Sequence, residues 1–421
     1  MSLPRLLYVL LLYMAAPLVL LRLLWRARRQ PEYLQHVAER WGWYHGDAGP
    51  ESCIWVHAVS VGETRAAEPL IRILQQRHPR HRIVLTHMTP TGRTAGQALF
   101  GDSVLQCYLP YDYPGAVARF LERFHPDAGV ILETEIWPNL VHAGVRRNIP
   151  LYLVNARLSE QSLRGYRRVA GLVREALRAF AVVAAQTAAD AQRLRQLGGQ
   201  RVVVTGNLKF DVEPPAAQIE QGRLLRAGLG GRPVLLAAST REGEEALLLD
   251  AVCARGLRDV LLVIVPRHPQ RFDAVAALIA GRGLRLQRRS GGTAVTADTQ
   301  VLLGDTMGEM FAYYAASDVV LLGGSFLPYG AQNLIEPCAV GKPVIIGPSV
   351  YNFTEAAAAA VAAGAALQVT DMAAAFSAAL LLAADPERIA RMGAAGRTFT
   401  AEHRGATQRL LEHLVFAPKK I

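Results

Sequence analysis

What most constrains the fold of this chain is a repeated alternation: short runs that are apolar on both faces, separated by stretches of helical composition. The runs at 83–86, 128–132, 151–155, 182–186 and 202–205 are each four or five residues of mainly Val, Ile, Leu and Ala. A strand with no polar face must be covered on both sides, which is the condition of a parallel sheet wrapped by helices, a doubly wound α/β architecture. From 212 to 233 the chain turns polar, punctuated by Pro214, Pro215, Gly228, Gly230, Gly231 and Pro233, and reads as an interdomain connection with room for one helix. The β-like runs resume at 234–238, 261–265, 301–303, 319–322 and 343–346, whereas 355–366 and 386–414 have helical composition. At 421 residues the chain exceeds what one core usually serves. The expected plan is therefore an N-terminal segment 1–30, a Rossmann-like domain 31–212, a linker 213–232 and a second Rossmann-like domain 233–421. The two domains are expected to face one another across a central ligand-binding cleft.

Residues 6–21 carry no charge, and Arg22, Arg26, Arg28 and Arg29 follow at once. Sixteen residues are short for a span, but Leu23, Leu24 and Trp25 lengthen the stretch while Arg22 snorkels, and Pro17 introduces a kink. A cleaved signal peptide carries its charge before the apolar core and a small-residue cleavage site after it; here only Arg5 precedes. The reading is an uncleaved membrane-anchor helix, with the arginines and everything after them on the cytoplasmic side. An interfacial or buried helix is the alternative.

The net charge of +11 favours an anionic partner: a membrane surface or a phosphorylated substrate. Nucleic acid is not expected, because the basic residues are dispersed and no recognised nucleic-acid-binding signature accompanies them. Cys53, Cys107, Cys253 and Cys338 are far apart, which argues against a disulfide framework or a C-x-x-C metal site and fits a reducing compartment. No D-x-D motif occurs and no His, Asp or Glu group has metal-ligand spacing, so neither a metal nor another cofactor is expected.

Candidate chemistry begins at 54–63, I-W-V-H-A-V-S-V-G-E. Ile54, Trp55, Val56, Val59 and Val61 suit a strand, Ser60 and Gly62 allow a tight turn, and Glu63 stands at the exit, where open α/β sheets collect ligands. Equally, Glu63 suits the first turn of the following helix. His57 is either a core histidine or a ligand contact. In the second half, Val265-Pro266-Arg267-His268 ends a strand in two potential cations. Gly304-Asp305-Thr306-Met307-Gly308-Glu309 leads into a helix start suited to an anion. After Gly323-Gly324-Ser325 comes 330–337, with Asn333 as an N-cap and Glu336 one turn into the helix, placed for ribose hydroxyls. No Walker A or strict G-x-G-x-x-G motif is present.

The order and spacing of these blocks resemble the 3-deoxy-D-manno-octulosonic acid (Kdo) transferases of lipopolysaccharide biosynthesis. The blocks are H-A-V-S-V-G-E at 57–63, T-P-T-G at 89–92, L-P-Y-D at 109–112, E-T-E-I-W-P-N at 133–139, N-A-R-L-S at 155–159 and T-G-N-L-K-F-D at 205–211. They continue with E-G-E-E at 242–245, V-P-R-H-P at 265–269, G-D-T-M-G-E at 304–309 and N-L-I-E at 333–336. The resemblance implies a GT-B glycosyltransferase that takes Kdo from CMP-Kdo and places it, with inversion, on the lipid A precursor at the anionic inner-membrane surface. It implies Glu63 as general base and Glu133 and Lys209 as transition-state supports. It assigns Pro266, Arg267, Met307, Gly308, Glu309, Asn333, Leu334, Ile335 and Glu336 to the nucleotide sugar, with no metal. Without it, Lys209 would read as a solvated loop residue, and Glu133 and Glu135 would share one face only if their segment stayed extended. Three positions depart from the pattern: relatives carry G-G-H-N where this chain has Gly330-Ala331-Gln332-Asn333, and Arg241 and Ser349 each replace a histidine. Two other readings stand beside this one: a GT-B enzyme for another nucleotide sugar, including an epimerase of similar architecture, or a tethered binding protein with an inactive transferase fold.

Overall fold

A computed structural model describes residues 2–45, 52–257 and 259–416. The chain divides into two compact units: the first runs to Val212 and takes up the chain again from Arg404, and the second is Glu213–His403.

The first unit holds strands β1 (Cys53–His57), β2 (Arg82–His87), β3 (Leu105–Tyr108), β4 (Ala128–Leu132), β5 (Leu151–Ala156), β6 (Val182–Ala185) and β7 (Val202–Val204). Its helices are α1 (Leu3–Arg29), α2 (Val61–Arg77), α3 (Pro90–Phe100), α4 (Pro114–Phe124), α5 (Pro138–Arg146), α6 (Glu160–Arg167), α7 (Ala170–Ala179) and α8 (Ala188–Gln196). Every strand pairing is parallel, in the order β3-β2-β1-β4-β5-β6-β7, so the winding reverses between β1 and β4. All five residues of β1 are buried, as the lack of a polar face requires. Successive side chains enter opposite layers: Ile54 and Val56 join Leu70 and Leu85, while Trp55 joins Phe120, Leu151 and Leu153. Each fully buried aliphatic side chain contributes roughly 1.5–3 kcal/mol of transfer free energy.

The second unit repeats the plan with β8 (Val234–Thr240), β9 (Leu261–Pro266), β10 (Leu286–Arg288), β11 (Val301–Leu303), β12 (Val319–Leu322), β13 (Val344–Ile346) and β14 (Ala366–Gln368). Its helices are α9 (Ala216–Gly228), α10 (Glu244–Arg255), α11 (Phe272–Ala280), α12 (Met310–Ala316), α13 (Ile335–Val340), α14 (Thr354–Ala362), α15 (Met372–Ala383) and α16 (Pro386–Glu402). The sheet is again parallel, ordered β10-β11-β9-β8-β12-β13-β14, with the reversal between β8 and β12.

The structure differs from the sequence expectation in four places. The first strand stops at His57, and Val59 and Val61 lie beyond it because Ser60 is already the N-cap of α2. The expected linker contains α9, a working part of the second unit. Gly222 lets α9 approach α12 so closely that a Cβ there would lie 2.5 Å from the Ala312 carbonyl oxygen. The Ala-rich stretch ends as a helix at Ala362 and resumes as strand β14. Finally, the chain after His403 groups with the first unit instead of the second. There α17 (Ala406–Leu411) has its first turn capped by Asp211, whose carboxylate accepts the N–H groups of Gly405 at 2.7 Å and Thr407 at 2.5 Å. Leu410, Leu411 and Leu414 then complete the layer over Ile54 and Val56, and Tyr152 hydrogen-bonds the backbone of Val415.

Candidate active site

In both sheets the order of winding reverses between two adjacent parallel strands, and the carboxyl ends of such strands are where doubly wound folds bind ligands. In the first unit those strands are β1 and β4. The turn after β1 is tied down on every side. Ala58 donates its N–H to the Thr86 carbonyl, and its own carbonyl lies 3.0 Å from His87 Nδ1. The Val59 carbonyl accepts the Met88 N–H and the Thr89 hydroxyl. Gly92 permits this crossing, since a Cβ there would sit 3.0 Å from the Val59 oxygen. On this platform α2 begins, with Glu63 in its first turn. Glu63 Oε2 accepts the Val59 N–H at 2.7 Å and Oε1 accepts the Ser60 hydroxyl at 2.9 Å. The first-turn placement and the strand-exit placement are thus the same place.

Glu133 follows β4 directly and has a left-handed backbone, φ 58°, as has Asn155 at the end of β5, φ 54°. Such strain in a non-glycine residue gathers at functional sites. The turn gives Glu133 two cations: Lys209 Nζ at 2.9 Å from Oε1 and Arg157 Nε at 3.1 Å from Oε2. Lys209 is brought there by the loop after β7, where Asn207 Oδ1 accepts the Lys209 N–H and Asn155 Oδ1 accepts the Leu208 N–H.

Electrostatics divides the carboxylates. Burial, reinforced by the nearby charges of Glu133 and Glu135, pushes Glu63 from 4.5 up to about 7 despite its two donors. Burial also acts upward on Glu133, but Lys209 and Arg157 outweigh it and hold this carboxyl below its ordinary range. Burial and then Glu133 raise Glu135. A carboxylate poised near neutrality beside one kept ionised is the pattern of a proton acceptor next to a fixed charge. His57 belongs to the core: it is fully buried, 2.8 Å from the Thr86 hydroxyl, and burial with the neighbouring His87 lowers it to about 3, so the ring is neutral.

Arg157 was not singled out from the sequence. It stands inside the N-A-R-L-S block, 24 residues from its partner, and only the pairing of β4 with β5 reveals the contact.

In the second unit, Pro266 closes β9 and the Arg267 N–H is bound by the Thr240 carbonyl. Gly323 can have no side chain, because a Cβ would lie 2.4 Å from the Ser239 oxygen. The following turn is stitched by the fully buried Glu244, whose carboxylate accepts the N–H groups of Arg241 (2.9 Å), Gly324 (2.7 Å) and Phe326 (3.0 Å). Asn333 Oδ1 accepts the Ile335 N–H at 3.1 Å, although α13 starts only at Ile335 with Leu334 as its N-cap. Leu334 and Ile335 bury their side chains in the core, which leaves their backbone as the part able to meet a ligand. Glu336 is half-buried, without a hydrogen-bonding partner among the described residues. Met307 and Gly308 are exposed, with Gly308 at φ 87°, whereas the Glu309 carboxylate already receives the Thr306 hydroxyl, the Gln221 amide and Arg289.

The three departures all have partners or close neighbours. Arg241 lies over the Tyr329 ring, 4.6 Å from its centroid, and reaches His268 Nε2 at 3.1 Å. Burial, then Arg241, Arg267 and Arg271, lowers His268 to about 4. Ser349 Oγ accepts the Gly330 N–H at 3.0 Å, and a Cβ on Gly324 would sit 2.9 Å from the Gln332 side-chain nitrogen. Among the described residues no three His, Cys, Asp or Glu side chains gather as a metal would need.

The family model for 3-deoxy-D-manno-octulosonic-acid transferase (kdotransferase) matches residues 35–212. A 3-deoxy-D-manno-octulosonic acid transferase of Bordetella pertussis is 46% identical over 97% of this chain and 98% of its own length. The chain belongs to the Kdo transferase family. A second such transferase, from Haemophilus influenzae, is 38% identical over 97% of the chain and 98% of its own length. A solved glycosyltransferase from Rickettsia africae, 14% identical, superimposes with a TM-score of 0.59 over 86% of this Kdo transferase and 97% of its own chain, a likeness of GT-B fold. The Kdo transferase is accordingly a glycosyltransferase built from two parallel-sheet α/β units.

Proposed function

We propose that this Kdo transferase moves Kdo from CMP-Kdo to the lipid A precursor, lipid IVA, with inversion at the anomeric carbon and with Glu63 as general base. The observation that carries the reading is the opposite treatment of two carboxylates at the β1/β4 reversal: Glu63 raised to about 7 and Glu133 held ionised by Lys209 and Arg157. In the reaction an acceptor hydroxyl oxygen forms a bond to the Kdo anomeric carbon as the bond from that carbon to the CMP phosphate oxygen breaks. The hydroxyl proton passes to a Glu63 oxygen, and the electron pair leaves with CMP. A base titrating near the working pH is matched to that transfer. The Kdo carboxylate and the departing phosphate are anions, for which the first unit offers the cations Lys209 and Arg157 and the second, separately, Arg267.

The nucleotide reading rests on the second unit. Glu336 has an unused carboxylate for ribose hydroxyls, Pro266 ends β9, and the backbone at Met307, Gly308, Glu309, Asn333, Leu334 and Ile335 lies in the turns and helix start beyond β11 and β12. Helix α1 is long and apolar enough to meet a bilayer, and the net charge of +11 suits an anionic leaflet, which supports action at the cytoplasmic face of the inner membrane.

The test is transfer from CMP-Kdo generated in the assay to tetraacyl lipid IVA, read by mass spectrometry for the parent, for Glu63→Gln, and for the parent in EDTA added once the donor has formed. Mass gain in the parent, near-loss in Glu63→Gln and indifference to EDTA are expected. A folded parent that gives no mass gain with intact donor would refute the substrate pair and direct attention to other nucleotide sugars.

A further inference from the structure

Helix α1 carries an exposed apolar stripe: Leu3, Leu10, Met14, Leu18 and Leu21 are each more than half exposed. The opposite side of the same helix is bonded to the first unit. At its start, Ser2 Oγ donates to Glu175 Oε2 at 2.5 Å, Arg5 Nε donates to Asn139 Oδ1 at 3.2 Å, and the Tyr8 hydroxyl donates to Asp112 Oδ2 at 2.9 Å. Asp112 is itself fixed, because it accepts the N–H groups of Asn139 and Leu140 at the start of α5. One turn further, the Tyr113 hydroxyl donates to the Leu12 carbonyl at 2.9 Å, and the Tyr13 and Tyr113 rings lie 5.2 Å apart. At the far end Leu23 and Ala27 are buried, and Arg26 lies over the Tyr33 ring at 5.5 Å.

The first half of α1 is therefore held along the first unit, and its far end packs against the turn that follows it. A helix crossing a bilayer would carry Ser2 through about 30 Å of hydrocarbon, to the side opposite Glu175, and would strip Arg5 and Tyr8 of their partners. The charge distribution agrees. Arg22 and Arg28 are exposed at the C-terminal end of α1, and Arg164, Arg167, Arg168 and Arg174 are exposed on α6, on α7 and between them, where Gly171 adjoins Pro4. A spanning helix has its arginines at the cytoplasmic end, whereas here cations flank both ends.

We propose that α1 lies in the plane of the cytoplasmic leaflet, clamped along the first unit through Arg5, Tyr8 and Asp112, with its apolar stripe among the acyl chains and the flanking arginines on anionic headgroups. Such in-plane helices bind by buried apolar area and charge together. The inference rests on the membrane reading of the proposed function and adds the topology.

The experiment uses full-length enzyme in native inner membranes, in a Cys253→Ser background, since Cys53, Cys107 and Cys338 are buried. Ser2→Cys with Glu175→Cys is treated with a short bis-maleimide, and the same variant in detergent is the positive control. Separately, Ser2→Cys alone is exposed in spheroplasts to a membrane-impermeant maleimide. In-plane docking gives the internal cross-link in membranes as in detergent, and periplasmic labelling below a tenth of that reached after denaturation. Membrane-bound protein that fails to cross-link while the detergent control succeeds, or that labels from the periplasm, overturns the in-plane arrangement and leaves membrane attachment standing. Protein recovered in the soluble fraction overturns the attachment itself.

Discussion

The coupling between Glu63 and Glu133 makes a prediction in which two neighbouring substitutions act with opposite sign. Glu63 rises from 4.5 to about 7, which corresponds to on the order of 3 kcal/mol of preference for its neutral form at 1.36 kcal/mol per pH unit. Burial is the larger cause and the Glu133 charge the second, so Glu133 supplies less than half of the upward push. Removing that charge in Glu133→Gln takes away the second-largest upward push on Glu63. The acid limb of kcat/KM, which reports ionisation of the base in the free enzyme, should then move to lower pH by roughly 0.5–1 unit. Lys209→Met does the reverse. It removes the cation 2.9 Å from Glu133 Oε1, leaves the pair more negative, and should move the same limb upward. The assay is Kdo transfer under kcat/KM conditions from about pH 5.5 to 9, each variant normalised to its own maximum so that loss of rate does not obscure the midpoint. General loosening of the site would move both midpoints in one direction. That outcome, or two unmoved midpoints, would refute either the base assignment or the coupling.

Three further outcomes follow from the same geometry. Glu63 is raised in the fold, so its neutral form supports stability at low pH, and that support is lost as pH rises from about 4.5 through about 7. Glu63→Gln should therefore melt a few °C above the parent at pH 8 and lose most of that advantage by pH 5, as scanning calorimetry would show. Gly323→Ala places a Cβ 2.4 Å from the Ser239 oxygen and should cost about 3 kcal/mol or more, read as soluble yield and melting temperature. Glu336→Gln should raise KM for CMP-Kdo about 10-fold with kcat within about 2-fold of the parent, and an unchanged KM would remove Glu336 from the nucleotide site.

The strands that were legible in the sequence were chiefly those with neighbours on both sides. Runs such as 128–132 and 319–322 match β4 and β12 residue for residue because a central strand has nowhere to place a polar side chain. The strands that were missed, β3, β10 and β14, are all at sheet edges, where Gln106, Gln287, Arg288 and Gln368 are compatible with a partly covered strand and erase the apolar signature. The site was legible as a set of blocks, through resemblance, but its wiring was not. Lys209 and Glu133 lie 76 residues apart, and the left-handed backbone at Glu133 follows from no propensity, whereas Asn155 is of a type that tolerates that region. Glu63 was legible as a strand exit, but what fixes it was not: α2 starts four residues after β1 with Ser60 as N-cap, and the Ser60 hydroxyl and Val59 N–H hold the carboxylate.

The return of the chain to the first unit after His403 means that the half synthesised first is the half finished last. Leu410, Leu411 and Leu414 cover a layer that Ile54 and Val56 leave open from early in translation, so the nascent first unit must hold an open apolar face until the segment from Arg404 onward has been made. The second unit is in that sense an insertion, able to complete its own core while the other remains unsealed. A gene cut at Val212 would encode a protein missing part of its wall, and the smallest self-contained version of the first unit is one in which the segment from Arg404 onward is spliced back on.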